Sequence, residues 1–145
     1  MEVVKWLLEN GAEPQSRIDN QPLLHWATKQ GSTEILQLLQ TKGISLNSKD
    51  QSGETPLMVA ASTGQYEVLK YLLSKGQPIN ETTSDGGTAL MKAAYNGQLQ
   101  MVRLLLLKGA NPHLRKRDES TALTWPQRQG HAEIVALLQS YILKK

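Results

Sequence analysis

Gly31, Gly64, Gly97 and Gly130 stand 33 residues apart, and each closes a similar string. The strings read Pro22-Leu23-Leu24-His25-Trp26-Ala27, Thr55-Pro56-Leu57-Met58-Val59-Ala60, Thr88-Ala89-Leu90-Met91-Lys92-Ala93 and Thr121-Ala122-Leu123-Thr124-Trp125-Pro126. Gly43, Gly76 and Gly109 form a second ladder with the same step, and Gly11 precedes it at a spacing one residue shorter. Two ladders in phase mean tandem copies of one small unit. Such a chain is confined to repeat architectures, in which each unit covers its neighbour and one core runs the length of the array.

The unit can be built from its residues. Thr55 can cap a helix through its hydroxyl, and Pro56 suits the first helical position, where its missing N–H has no partner to lose. Leu57, Ala60 and Ala61 give that helix one large and two small apolar residues, so it can approach its neighbours closely. Gly64 ends it by taking the left-handed conformation. A second helix follows, with Val68, Leu69, Leu72 and Leu73 at helical spacing, Glu67 in the first turn and Gly76 at the end. Its stripe recurs as Ile35, Leu36, Leu39, as Met101, Val102, Leu105, Leu106, and as Ile134, Val135, Leu138. Polar segments such as Asn47 to Gly53 lie between units and are long enough to project as a β-turn or short hairpin. Each unit is therefore helix, turn, helix, protruding turn.

These residues resemble the ankyrin repeat, whose pattern is a turn with Asp and Gly, then Thr-Pro-Leu-His-x-Ala-Ala, a Gly, a Glu-Val-Val-x-Leu-Leu-Leu helix and Gly-Ala-x-x-Asn. One unit alone matches at Asp50, Gly53, Thr55, Pro56, Leu57, Ala60, Ala61, Gly64, Glu67, Val68, Leu72, Leu73, Gly76 and Asn80. The resemblance covers essentially the whole chain. It implies an all-α ankyrin-repeat solenoid with protruding β-turns or hairpins and about four and a half repeats. The expected division of a single domain, 1–145, is a partial repeat contributing an outer helix (1–16), full repeats at 17–49, 50–82 and 83–115, and a C-terminal capping repeat at 116–145.

Two departures stand out. The chain opens on an outer helix, Glu2 to Gly11, with no inner helix before it; Val3, Val4 and Leu7 are suited to a missing neighbour, so a chain cut from something longer is expected rather than a half-repeat cap. Pro126 stands where the pattern has alanine, inside an inner helix, where proline removes a hydrogen bond and predicts a kink.

The totals narrow the function. With 145 residues and 39% hydrophobic content the chain is sized for one domain. There is no cysteine, which excludes disulfides, thiolate nucleophiles and thiolate metal sites; a cytoplasmic, reducing setting is expected. The opening residues lack a basic region followed by an uncharged apolar run, so no secretory leader is expected there. The most apolar stretch, Met101 to Leu107, is interrupted by Arg103 and is too short to span a membrane. Leu104 and Leu107 widen the apolar face of their helix and raise the idea of a convex-side contact or self-association, although a monomer is expected.

Catalysis is not expected. His25 and His131 occupy repeat positions, His113 alone lies in a turn, no metal-binding helix spacing or Gly-x-Ser-x-Gly elbow occurs, and Gly86-Gly87 lacks a phosphate-loop lysine. No cofactor or metal is expected.

What remains is a binding module for another protein. In ankyrin relatives the partner usually lies along the protruding turns and the exposed side of the inner helices. Carried over by position, that strip comprises Lys29 and Gln30, then Gln51, Ser52, Glu54, Ser62 and Thr63. It continues through Ser84, Asp85, Tyr95 and Asn96 to Arg117, Asp118, Ser120, Arg128 and Gln129. Three aromatics stand out in a chain without phenylalanine: Trp26 and Trp125 share one inner-helix position with Val59 and Lys92, and Tyr95 precedes a helix-ending glycine. Tyr95 is the expected anchor and Trp125 is expected at the surface, while Trp26 suits core filling and binding equally. An alternative is anion-directed binding by the C-terminal end. Residues from Gln98 onward carry eight Lys or Arg against three acids, and residues 1 to 97 carry eight against ten. Arg115, Lys116 and Arg117 form its centre. No nucleic-acid-binding motif accompanies that charge, so nucleic acid is not the expected partner. A third reading, an engineered or fragmentary scaffold without a retained native partner, is opposed by the irregularity of the repeats.

Overall fold

The computed structural model describes residues 2–144; Met1 and Lys145 lie outside the described residues. From the N-terminus the elements are α1 (Glu2–Glu9), β1 (Arg17–Ile18), β2 (Gln21–Pro22), α2 (Leu23–Gln30), α3 (Thr33–Thr41), α4 (Pro56–Thr63) and α5 (Tyr66–Ser74). They continue as α6 (Ala89–Tyr95), α7 (Leu99–Leu107), α8 (Thr124–Gln129) and α9 (Ala132–Ile142). Helices α2, α4, α6 and α8 stack as an inner row, and α1, α3, α5, α7 and α9 as an outer row, each packing on the next in its row. The arrangement is an all-α repeat solenoid.

Local chemistry starts and stops the helices where the repeat requires. The Thr55 hydroxyl accepts the Met58 N–H at 3.3 Å, and Thr88 accepts from Met91 at 3.2 Å. Each satisfies an amide that has no partner within its helix. The inner helices meet through Ala27, Ala60 and Ala93, all fully buried. Between the rows Leu39, Leu72, Leu105 and Leu138 are each 0% exposed and recur every 33 residues, one leucine in each of α3, α5, α7 and α9. Burying each contributes about 1.5–3 kcal/mol.

Gly64 shows why the glycine ladder is obligatory. Its φ of 76° lies in the left-handed region, and a Cβ there would sit 2.8 Å from Gln98 Oε1 of the next repeat. Gln98 Nε2 also donates to the Ser62 carbonyl, at 3.4 Å. Gly31 stands in the same relation to Gln65. Gly64→Ala is therefore expected to reduce the unfolding free energy by about 1–2 kcal/mol, the cost of left-handed backbone for a residue with a Cβ. Urea titration followed by circular dichroism measures this, and an unchanged midpoint would contradict it.

The protruding segments are built in two ways. The first is a hairpin: β1 and β2 pair antiparallel, Arg17 opposite Pro22 and Ile18 opposite Gln21. The turn residues Asp19 and Asn20 have φ of 51° and 62°, as a two-residue hairpin turn requires. The second is a turn folded around an acid. Asp50 accepts the Ser52 and Glu54 N–H groups, each at 2.9 Å, while its own N–H donates to the Glu54 carbonyl at 3.0 Å.

Two expectations are corrected. Pro126 does not kink a full-length helix; α8 instead begins at Thr124, two residues later than α4 begins in its repeat. Pro126 then lies in the first turn, where its missing N–H would have had no intrahelical acceptor. The residues before it fold as a turn, with the Thr121 N–H on Thr124 Oγ1 at 2.9 Å. Leu104 is buried and does not widen an exposed face, whereas Leu107 is 66% exposed. Val3, Trp6 and Leu7 of α1 are exposed. Among the described residues no helix is long and apolar enough to cross a membrane.

Candidate functional site

Three ladders of inner-helix residues share the side turned away from the outer row: Trp26, Val59, Lys92 and Trp125; Lys29, Ser62, Tyr95 and Arg128; Gln30, Thr63, Asn96 and Gln129. Of these, Lys29, Ser62, Thr63, Lys92, Tyr95, Asn96 and Trp125, together with the turns, bound a groove of about 500 Å³. Helices α2 and α4 supply Lys29, Ser62 and Thr63, α6 supplies Met91, Lys92 and Tyr95 with Asn96 at its C-terminal cap, and α8 supplies Trp125. The turns add Glu54, Asp85, Gly87, Lys116 and Thr121.

Ion pairs between neighbouring repeats hold this groove. Glu54 pairs with Lys92, both largely shielded from solvent. The Glu54 carbonyl also accepts a hydrogen bond from His25 Nε2 at 2.7 Å, so three successive units meet at one residue. His25 Nδ1 is then left buried without a partner. Further along, Asp85 Oδ2 pairs with Lys116 at 2.9 Å. Its Oδ1 accepts the Thr83 hydroxyl and the Gly87 N–H, the latter at 3.2 Å, and its backbone carbonyl accepts the Arg117 N–H at 2.9 Å. Asp85 is thus a latch between two turns.

The Thr83 hydroxyl, with Lys116 and the Gly87 amide, holds the Asp85 carboxyl well below the usual carboxylate range, and Asp85 in turn raises Lys116. A carboxylate whose pKa is depressed on folding stabilises the fold above its unfolded pKa of about 3.9, and that contribution fades as pH falls through the folded value. Wild-type stability is therefore expected to fall more steeply below about pH 4 than that of Asp85→Asn, which has no carboxyl to protonate. Urea midpoints at several pH values check this; parallel curves would show that the latch does not titrate with folding.

Tyr95, 49% exposed, meets the Trp125 ring edge-to-face, with centroids 5.4 Å apart and planes at 78°. The Arg128 guanidinium stands 5.1 Å over the same indole. Tyr95, Trp125 and Arg128 form a stack that ends the groove. Trp125 is half-buried rather than at the surface as expected, and so is Trp26, which packs on the core.

Of the residues expected from sequence, the structure brings Lys29, Glu54, Ser62, Thr63, Asp85 and Asn96 into the groove with Tyr95 and Trp125. Gln30, Gln51, Ser52, Ser84 and Arg117 are exposed at a helix end or at turn tips, outside the lining; Asp118 and Gln129 are also exposed. Ser120 is buried, so its place in the strip is corrected: its N–H and hydroxyl both serve Asp118. The basic cluster is not three free cations. Arg115 pairs with Glu119 at 3.1 Å and Lys116 with Asp85. Among the described residues no group of three or more His, Asp or Glu is placed to hold a metal.

The family model for ankyrin repeats, built from three copies, matches residues 1–83 and again 75–144. The chain belongs to the ankyrin-repeat family. No curated protein matches it. Ankyrin repeats are in general protein–protein interaction modules, and in this ankyrin chain the groove adds Met91, Lys92 and Thr121, which were not expected at the site, and Lys116, expected only at the basic end. Lys92 was within reach, since it occupies the same ladder position as Trp125. Lys116 was grouped with its basic neighbours, because nothing in the sequence tells which acid it faces.

Proposed function

We propose that this ankyrin-repeat chain is a non-catalytic adaptor that binds another protein through the groove between Lys29 and Trp125 and through the adjoining turn tips. The observation that carries this reading is the joining, in one concavity, of an aromatic pair, exposed Tyr95 and half-buried Trp125, with ion pairs already formed. Tyrosine and tryptophan offer large rigid contact area with little entropy to lose, and preformed charges need little reordering when a partner arrives. A cytoplasmic monomer fits the cysteine-free, mixed-charge composition. Arg115 and Lys116 are internally paired, which weakens the basic C-terminal end as an independent anion site.

The test is capture from cell lysate by the tagged chain at about 50 and 300 mM salt, a range over which screening shortens appreciably. A specific protein retained at the higher salt is expected. Nucleic acid alone, wholly released at the higher salt, would contradict the proposal and favour the basic end.

A further inference from the structure

The acids and bases along the groove are not equally occupied. Glu54 is paired with Lys92, Asp85 with Lys116, and the Asp118 carboxylate accepts the Ser120 N–H at 2.9 Å. Among the described residues no carboxylate lies within ion-pair distance of Lys29 or of Arg128, and both are exposed. Lys29 on α2 lines one end of the groove, and Arg128 on α8, just outside the lining, stands over the Trp125 indole at the other, with α4 and α6 between them. Neighbouring packed helices are 8–10 Å apart, so three steps separate them by roughly 24–30 Å. An extended chain advancing about 3.3 Å per residue covers that distance in about eight residues.

Between the ends the chemistry changes. The Ser62 and Thr63 hydroxyls both donate to the Val59 carbonyl, at 3.1 and 2.6 Å, which leaves their lone pairs as acceptors. Asn96 Nδ2 donates to the Lys92 carbonyl at 2.8 Å, leaving Oδ1 as an acceptor as well. The middle of the groove therefore offers acceptors suited to backbone N–H groups. Beside them the Tyr95 and Trp125 rings offer apolar area.

From this distribution we infer that the partner docks through an extended segment of about eight residues, with carboxylates toward both ends and an apolar or aromatic side chain between them. Its carboxylates meet Lys29 and Arg128, its backbone donates to Ser62, Thr63 and Asn96, and its apolar side chain rests on Tyr95 and Trp125. A basic segment would leave its own charges beside Lys29 and Arg128 unpaired and repelled. The inference rests on the groove being the binding surface.

The experiment is selection from a random eight-residue display library on the full chain, followed by anisotropy titration of the enriched peptides, synthesised with a fluorophore. Asp or Glu near both ends and a large apolar residue inside are expected. Their affinity should fall about tenfold or more in Lys29→Glu/Arg128→Glu, where two attractions become repulsions. It should fall less in Lys29→Gln/Arg128→Gln, and only a few-fold on raising salt to about 300 mM. Matching circular dichroism melts establish that the variants are folded. Enrichment of basic or neutral peptides, no enrichment, or affinity indifferent to both charge variants overturns the acidic-segment inference while leaving the groove reading in place. Acidic peptides that bind Tyr95→Ala/Trp125→Ala as tightly as wild type overturn the groove reading itself.

Discussion

Leu105→Ala is expected to lower the unfolding free energy by about 2–5 kcal/mol, a large share of what a domain of this size possesses. Leu105 is 0% exposed on α7, between Leu72 of α5 and Leu138 of α9 in the leucine ladder. Removing it forfeits the transfer of its side chain from water and leaves a cavity that stacked helices cannot readily collapse. In a linear array the damage is directional. Helix α7 packs on α9, and α6 on α8, so the loss loosens the C-terminal repeat from the rest. The urea midpoint should fall, with a broader transition as the last repeat melts ahead of the others. Leu107→Ala on the same helix is the control, since its side chain lies in solvent and its removal should matter by less than about 0.5 kcal/mol. Equal effects from the two variants would contradict the assignment of the core.

Tyr95→Ala/Trp125→Ala is expected to weaken partner binding by a hundredfold or more at unchanged fold, about 3 kcal/mol if the pair acts as an interface centre. The two rings meet edge-to-face, and Arg128 is held against the indole. Removing both rings deletes the groove's main apolar area and releases the cation that the indole positions. The loss should appear chiefly as faster dissociation, because packed contacts govern residence more than encounter. Titration calorimetry with the captured partner gives the affinity, and surface resonance the rates. Affinity within threefold of wild type would remove Tyr95 and Trp125 from the interface.

The repeat itself was readable because its demands are local and recur. Gly64 must take a left-handed backbone, Thr55 must cap, and Leu72 must recur every 33 residues, so each appears as a residue type at a fixed spacing. The groove was readable by position, since every fourth or third residue of an inner helix faces the same way. Pairings across repeats were not readable. Asp85 looked like an exposed turn acid available to a partner, yet its carboxylate is occupied by Thr83, Gly87 and Lys116. A substitution there would disturb the turn as well as binding, which makes it a poor probe of the groove. Ser120 was misplaced for a related reason: its neighbour Asp118 takes up both of its donors. Pro126 predicted a bend because its ring clashes in a helix interior, but the chain could move the helix start instead.

The most direct measurement is an amide NMR footprint of the isotope-labelled chain with its captured partner, resolved residue by residue. The account predicts perturbation concentrated at Ser62, Thr63, Lys92, Tyr95, Asn96 and the Trp125 indole, with α5 and α7 outer-face amides unchanged. A footprint on Tyr66, Leu107 or the exposed Val3, Trp6 and Leu7, with the groove silent, would contradict it.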